Sequence, residues 1–166
     1  SLQVFTQVTS NVVNTIQIDM TQLVAEVVQD LKNVIDEKQA VIKIEPLPSI
    51  VANEDQIIQV MTNLIGNALK YSNKDAETKI KISATKVHSK YQFEISDNGI
   101  GIEEKYFPVI FDLFKRLHSS NDYEGTGLGL ALVKKIIERN GGLVWVSSTP
   151  GQGSTFYFTI AEKEIA

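Results

Sequence analysis

Apolar and polar positions follow two rhythms along this chain, one near 3.6 residues and one of two, which assign most of it to helices and strands. Thr15–Asp19 reads as a short strand. Asp19 followed by Gln22 fits a capping box, where each side chain meets a free N–H at a helix start. Leu23, Val24, Val27, Val28, Leu31, Val34 and Ile35 then fall on one helical face. Ala40–Glu45 alternates as a strand and closes at Pro46, which cannot extend a ladder. Glu54–Ser72 is a second helix. Thr78–Val87 and Lys90–Asp97 predict a hairpin turning at His88-Ser89, with His88 in solvent. Gly127–Asn140 is a third helix, stopped by Gly141-Gly142. Leu143–Ser148 and Ser154–Ile160 form a second hairpin across Pro150–Gly153, and Trp145, sharing a face with Leu143, is expected in the core. Lys134, Lys135, Glu138 and Arg139 read as a solvent face. Between Asp97 and Gly127 runs a long segment with one helical turn near Phe107–Phe114; such a length is usually functional or disordered. The sum is a layered α/β or α+β domain, three helices against a mixed sheet.

Three places do more than fill a core. The helix Glu54–Ser72 carries Gln56, Gln59, Asn63, Asn67 and Lys70 opposite its apolar stripe, with Tyr71 at the edge. Solvent faces normally use Glu, Lys and Arg, and asparagine is a mediocre helix former. Two readings stand: a solvated face, or carboxamides placed for Mg²⁺ and phosphate. In Asp97-Asn98-Gly99-Ile100-Gly101, the carboxylate falls by alternation on the apolar face of Tyr91, Phe93 and Ile95. It needs a donor there, such as an adenine amino group, although Asp-Asn-Gly is also an ordinary turn. Gly125-Thr126-Gly127-Leu128-Gly129-Leu130 opens the third helix, where free N–H groups favour anions. It follows a loop rather than a strand and lacks the Gly-Lys-Ser/Thr ending, so it is neither a Rossmann fingerprint nor a P-loop.

Composition narrows the field. The 166 residues are 43% hydrophobic and 22% charged, with a net charge of -4, the balance of a globular domain and not of a nucleic-acid binder. The absence of cysteine excludes disulfides, thiol catalysis and cysteine zinc sites, and two histidines are too few for a multi-histidine metal site. No apolar run reaches the roughly 18 residues that span a bilayer, and the first basic residue is Lys32, so a basic leader is not expected. A chain opening on Ser1 reads as excised from a longer one, and the domain as soluble and cytoplasmic.

Together the residues resemble a family. Asn63–Tyr71 is similar to the N box of sensor histidine kinases, Asp97–Gly101 to the G1 box, and Phe111-Asp112-Leu113-Phe114 to the F box. Gly125–Leu130 resembles the G2 box, and Gly151-Gln152-Gly153-Ser154-Thr155-Phe156 the closing glycine turn. All five occur in the family's order from about Thr15 to Glu162. The resemblance is to the catalytic ATP-binding domain of a two-component histidine kinase, related to gyrase B, Hsp90 and MutL. It implies an α/β (α+β) two-layer sandwich, a mixed, mostly antiparallel sheet packed on three helices in the Bergerat ATP-binding fold over 15–166, with 1–14 a remnant of the preceding dimerisation helix.

Carried onto this sequence, the resemblance implies that Asn67 holds Mg²⁺ with Asn63 beside it, and that Lys70 contacts phosphate. Tyr71 would pack near the base or ribose. Asp97 would accept from the adenine amine, helped by Thr155 through a water, with Gly99 and Gly101 beneath the base. Gly125, Thr126, Gly127, Leu128, Gly129 and Leu130 would wrap the triphosphate, and Arg116 would reach phosphate from a lid spanning Glu103–Thr126. The catalytic set is then Asn63, Lys70 and Arg116, with ATP and Mg²⁺ bound. Neither His88-Ser89 nor His118-Ser119 has the acidic neighbour of a phosphoacceptor, and His118 reads as a solvated loop residue. The acceptor histidine is thus expected on a separate dimerisation domain, with a response regulator downstream, the isolated domain monomeric, and no contact with nucleic acid or membrane. Two rivals remain: an ATPase of the gyrase or Hsp90 kind, whose water-activating glutamate is replaced here by Asn63, and a nucleotide-binding pseudokinase or scaffold.

Overall fold

The computed structural model describes residues 14–112 and 129–163. Strand β1 (Ile16–Asp19) leads into helix α1 (Met20–Asp30), and the Asp19 carboxylate caps that helix by accepting from the Gln22 N–H at 3.2 Å. Gln22 sends its own amide to Glu26 Oε1 at 3.3 Å and not back to Asp19, so the box is half closed. The helix expected to reach Ile35 breaks at Leu31, whose N–H is shared between the Val27 and Val28 carbonyls at 3.1 and 3.2 Å. Helix α2 (Lys32–Lys38) resumes beyond it with no fully buried residue, and Val34 is exposed. Little apolar burial is left there to hold one continuous helix.

Next come β2 (Val41–Ile44), β3 (Ser49–Ala52), α3 (Glu54–Lys70) and the hairpin β4 (Lys79–Val87) and β5 (Lys90–Asp97). A 3₁₀ turn covers Glu104–Tyr106, and α4 (Gly129–Arg139), β6 (Val144–Thr149) and β7 (Gly153–Ala161) complete the order. The sequence pattern does not anticipate β3, which pairs antiparallel with β1 as a separate two-stranded sheet, Ile16 opposite Ala52. Among the described residues the main sheet has five strands in the order β2-β4-β5-β7-β6, and only the β2–β4 pair is parallel. This is the mixed, mostly antiparallel sheet expected, under four helices among the described residues where three were expected, because the first is divided.

One face of the sheet is covered and the other is open. Ile82, Phe93, Ile95 and Phe158 are buried beneath Ile57, Met61, Leu64 and Ile65 of α3, which lies over β5 with α1 and α4 beside it. Phe93 and Phe158 face each other in register with ring centroids 4.9 Å apart. The expectation for Trp145 is corrected: β6 turns Val144 and Val146 toward the core, so Leu143 and Trp145 alternate outward and are 60% and 37% exposed. Trp145 stacks instead on Tyr157, its cross-strand partner, at 5.2 Å on the open face. His88 is exposed at the β4–β5 turn, as expected. No helix among the described residues is long and apolar enough to cross a membrane.

Candidate functional site

Asn53 starts α3 by accepting from the Gln56 N–H at 3.0 Å, and Glu54 and Asp55 complement the helix dipole in the first turn. That start fixes the rotation of the helix. Ile57, Met61, Leu64, Ile65 and Ala68 are buried, and Gln56, Gln59, Asn63, Asn67 and Lys70 form the opposite stripe. All five polar residues are half-buried, whereas Lys134 and Glu138 on the solvent face of α4 are exposed. The stripe is therefore partly covered. Part of the cover is Gly129 at the start of α4, against which the Asn63 carboxamide packs. Lys70 Nζ stands 5.7 Å from the centre of the Tyr71 ring.

The end of α3 is fastened to the end of β5. The Tyr71 carbonyl accepts from the Ile100 N–H at 3.0 Å. A Cβ on Gly99 would collide with that same carbonyl, so the close approach requires glycine. Gly101 likewise lies against the Thr149 carbonyl. Asn98 pins the start of β4, because its carboxamide accepts from the Lys79 N–H at 2.8 Å and donates to the Glu77 carbonyl at 2.7 Å.

Asp97 closes β5 on the inner face, as alternation predicts. Its Oδ1 accepts from the Gly99 N–H at 2.8 Å and the Ser154 N–H at 3.2 Å. Burial pushes the carboxyl above the ordinary carboxylate range, and the two backbone bonds oppose that shift. Among the described residues both donors fall on Oδ1. The result is an acceptor beside an apolar wall, suited to a neutral N–H donor such as the amino group of a planar heterocycle.

The placement expected for Thr155 is corrected. Register sets Ser154 opposite Asp97 and Thr155 opposite Ser96, so Thr155 lies on the other face of the sheet. There its hydroxyl bonds Ser96 Oγ at 2.8 Å. The group beside Asp97 is Ser154, one residue earlier, which sequence reasoning missed and which counting in twos back from buried Phe156 would have found. Ser148 also joins the site unforeseen. Its hydroxyl accepts from the Ile102 N–H at 2.7 Å, donates to the Gly153 carbonyl at 2.8 Å and lies 2.7 Å from Ser154 Oγ.

Asn63, Asn67, Lys70, Tyr71, Asp97, Gly99, Gly101, Gly129 and Leu130 are thus carried on neighbouring elements, α3, the end of β5 and the start of α4. Arg116, Gly125, Thr126, Gly127, Leu128, His118 and most of the expected lid lie outside the described residues. No group of three His, Cys, Asp or Glu among the described residues could hold a metal. The carboxamides of Asn63 and Asn67, one helical turn apart, offer hard oxygen donors on this stripe. Such a sparse neutral set fits Mg²⁺, which keeps several waters and takes its remaining ligands from phosphate.

Comparison with known proteins bears on the family and the fold. The family described as histidine kinase-, DNA gyrase B-, and HSP90-like ATPase matches residues 52–164. The phytochrome-like protein Cph1 of Synechocystis is 43% identical over 142 residues, covering 86% of this chain. The chain spans only 19% of that relative's length. Among solved structures, full-length ShkA in complex with AMPPNP superposes with a TM-score of 0.83 at 26% identity, over 99% of this chain and 35% of ShkA. The catalytic domain of histidine kinase ThkA gives 0.77 at 25% identity, over 90% of this chain and 96% of that one. The chain belongs to the histidine kinase-, DNA gyrase B- and HSP90-like ATPase family, as a catalytic domain of the sensor histidine kinase type.

Proposed function

We propose that residues 15–166 bind Mg-ATP and donate its γ-phosphoryl group to a histidine on a separate dimerisation domain of the same protein, to which 1–14 belongs, with a response regulator downstream. The observation that carries the reading is Asp97: a carboxylate on an apolar face, held by two backbone N–H groups and offering only acceptor oxygens. An adenine amine is the complementary donor. The likeness to an AMPPNP-bound structure supports a triphosphate beside the base. Asn67 would hold Mg²⁺, which when bound neutralises phosphate charge. Asn63 and Lys70 would orient the phosphates, Tyr71 would flank the base or ribose, and Gly129 and Leu130 would present the start of α4. Arg116, Gly125, Thr126, Gly127 and Leu128 are proposed as the remaining phosphate contacts.

Asn63 also speaks to the reaction. A carboxamide takes no proton at neutral pH, so it cannot activate water as general base. Transfer then waits for an acceptor placed in line with the γ-phosphorus. The test is incubation with γ-labelled ATP and Mg²⁺, with and without the dimerisation domain of the same protein. The chain alone should stay unlabelled and release phosphate slowly. With the added domain, an acid-labile, base-stable phosphohistidine should appear on that domain. Self-labelling at His88 or His118, or fast turnover without a partner, would overturn the kinase reading in favour of an ATPase.

A further inference from the structure

Ser148 has one hydroxyl proton and three partners. With that proton on the Gly153 carbonyl, its oxygen accepts from Ile102, and the remaining bond must be donated by the Ser154 hydroxyl. The Gly153 carbonyl and the Ser154 N–H are two ends of one planar peptide group. That same N–H donates to Asp97 Oδ1. A continuous line of hydrogen bonds therefore runs from the Ser148 hydroxyl through a single peptide to the Asp97 carboxylate, and bonds in series polarise one another.

This peptide needs an outside constraint. Gly153 has φ +124°, and a Cβ there would collide with the Asp97 carbonyl, so the position admits only glycine. Glycine in turn leaves the backbone conformation weakly determined. Ser148 supplies what glycine withholds. The same hydroxyl grips Ile102, at the far end of the loop that begins with Asp97.

We propose that Ser148 is a positioning residue for base recognition, setting the Asp97 carboxylate through the Gly153–Ser154 peptide and acting on the base through Asp97. The proposal rests on the reading of Asp97 as the acceptor of the nucleobase amine.

Calorimetric affinities of the chain for Mg-ATP and Mg-GTP test it. Wild type that binds neither nucleotide would reject the nucleotide reading itself, before any variant is compared. Ser148→Ala should weaken ATP about five- to tenfold, the range of one lost neutral hydrogen bond, and GTP by less than about twofold. Ser148→Thr, which keeps the hydroxyl, should restore the ATP-to-GTP ratio. In an Asp97→Asn background Ser148→Ala should leave the ratio unchanged, because the group it positions is gone. Equal losses for both nucleotides, or the same fall in ratio in both backgrounds, would show a merely structural role and overturn the proposal. Should Ser148→Ala not fold, Ser148→Cys, a weaker donor of similar shape, must still lower the ratio; an unchanged ratio would overturn it equally.

Discussion

Asn63 and Gly129 meet across the gap between α3 and α4: Asn63 Oδ1 lies 3.3 Å from the place a Cβ on Gly129 would take. Gly129→Ala would therefore push the carboxamide while favouring the helix, by up to about 1 kcal/mol. The melting temperature should hold or rise as Mg-ATP affinity falls severalfold. Unchanged affinity would detach Gly129 from the site.

Asp97 sets stability and binding against each other. Burial raises its pKa in the folded chain, so the native state takes up this proton at a higher pH than the unfolded chain does. Its contribution to stability is complete below the unfolded value, about 3.9, and is lost as pH rises through the native value. Where it is ionised, the buried carboxylate burdens the chain without ligand. Asp97→Asn should accordingly melt no lower than wild type at pH 7, yet lose about 1–3 kcal/mol of ATP binding and less for GTP. Wild-type ATP affinity should also fall as pH drops through the native pKa. A clear drop in melting temperature for the variant at pH 7 would contradict the first half, and equal losses for ATP and GTP the second.

Metal dependence should run through Asn67. In Mg²⁺, Asn67→Ala should bind ATP at least about tenfold more weakly with an unaltered circular dichroism spectrum, the scale of a lost metal ligand or its support. In EDTA the variant and wild type should bind alike. A difference that persists without metal would assign Asn67 to the nucleotide directly.

Trp145 offers a test of the open sheet face. Its stacking on Tyr157 is a surface pair, so Trp145→Ala should cost about 1 kcal/mol in urea denaturation. A buried tryptophan would cost about 3–5 kcal/mol. As the only tryptophan, it should also give the red-shifted emission of a solvated indole. A blue-shifted band with a core-sized loss would mean the face is covered.

What can be read from the chain depends on the strength of its periodicity. Helix α3 and the two hairpins carry long, regular patterns, and Asp97 falls on the inner face by simple alternation. The pattern fails where phase or length is marginal. Ser49–Ala52 has four residues behind Pro46 and Pro48, too few to show a rhythm, and pairs with a strand some thirty residues away. The break at Leu31 reflects missing tertiary burial, which no local pattern reports. Trp145 and Thr155 both invite placement by chemistry where strand phase decides: an apolar residue can occupy an outer position, and a one-residue shift moves a hydroxyl across the sheet.

The register of β5 against β7 has a kinetic meaning as well. The β4–β5 and β6–β7 hairpins close over short turns, but Asp97 and Ser154 are 57 residues apart along the chain. Joining such distant partners carries a large closure entropy and belongs to the slow part of folding. Each hairpin alone holds one half of the carboxylate's cradle. A half-folded chain accordingly has no assembled acceptor to offer a base, and capture of ligand becomes a late event that reports completion of the sheet.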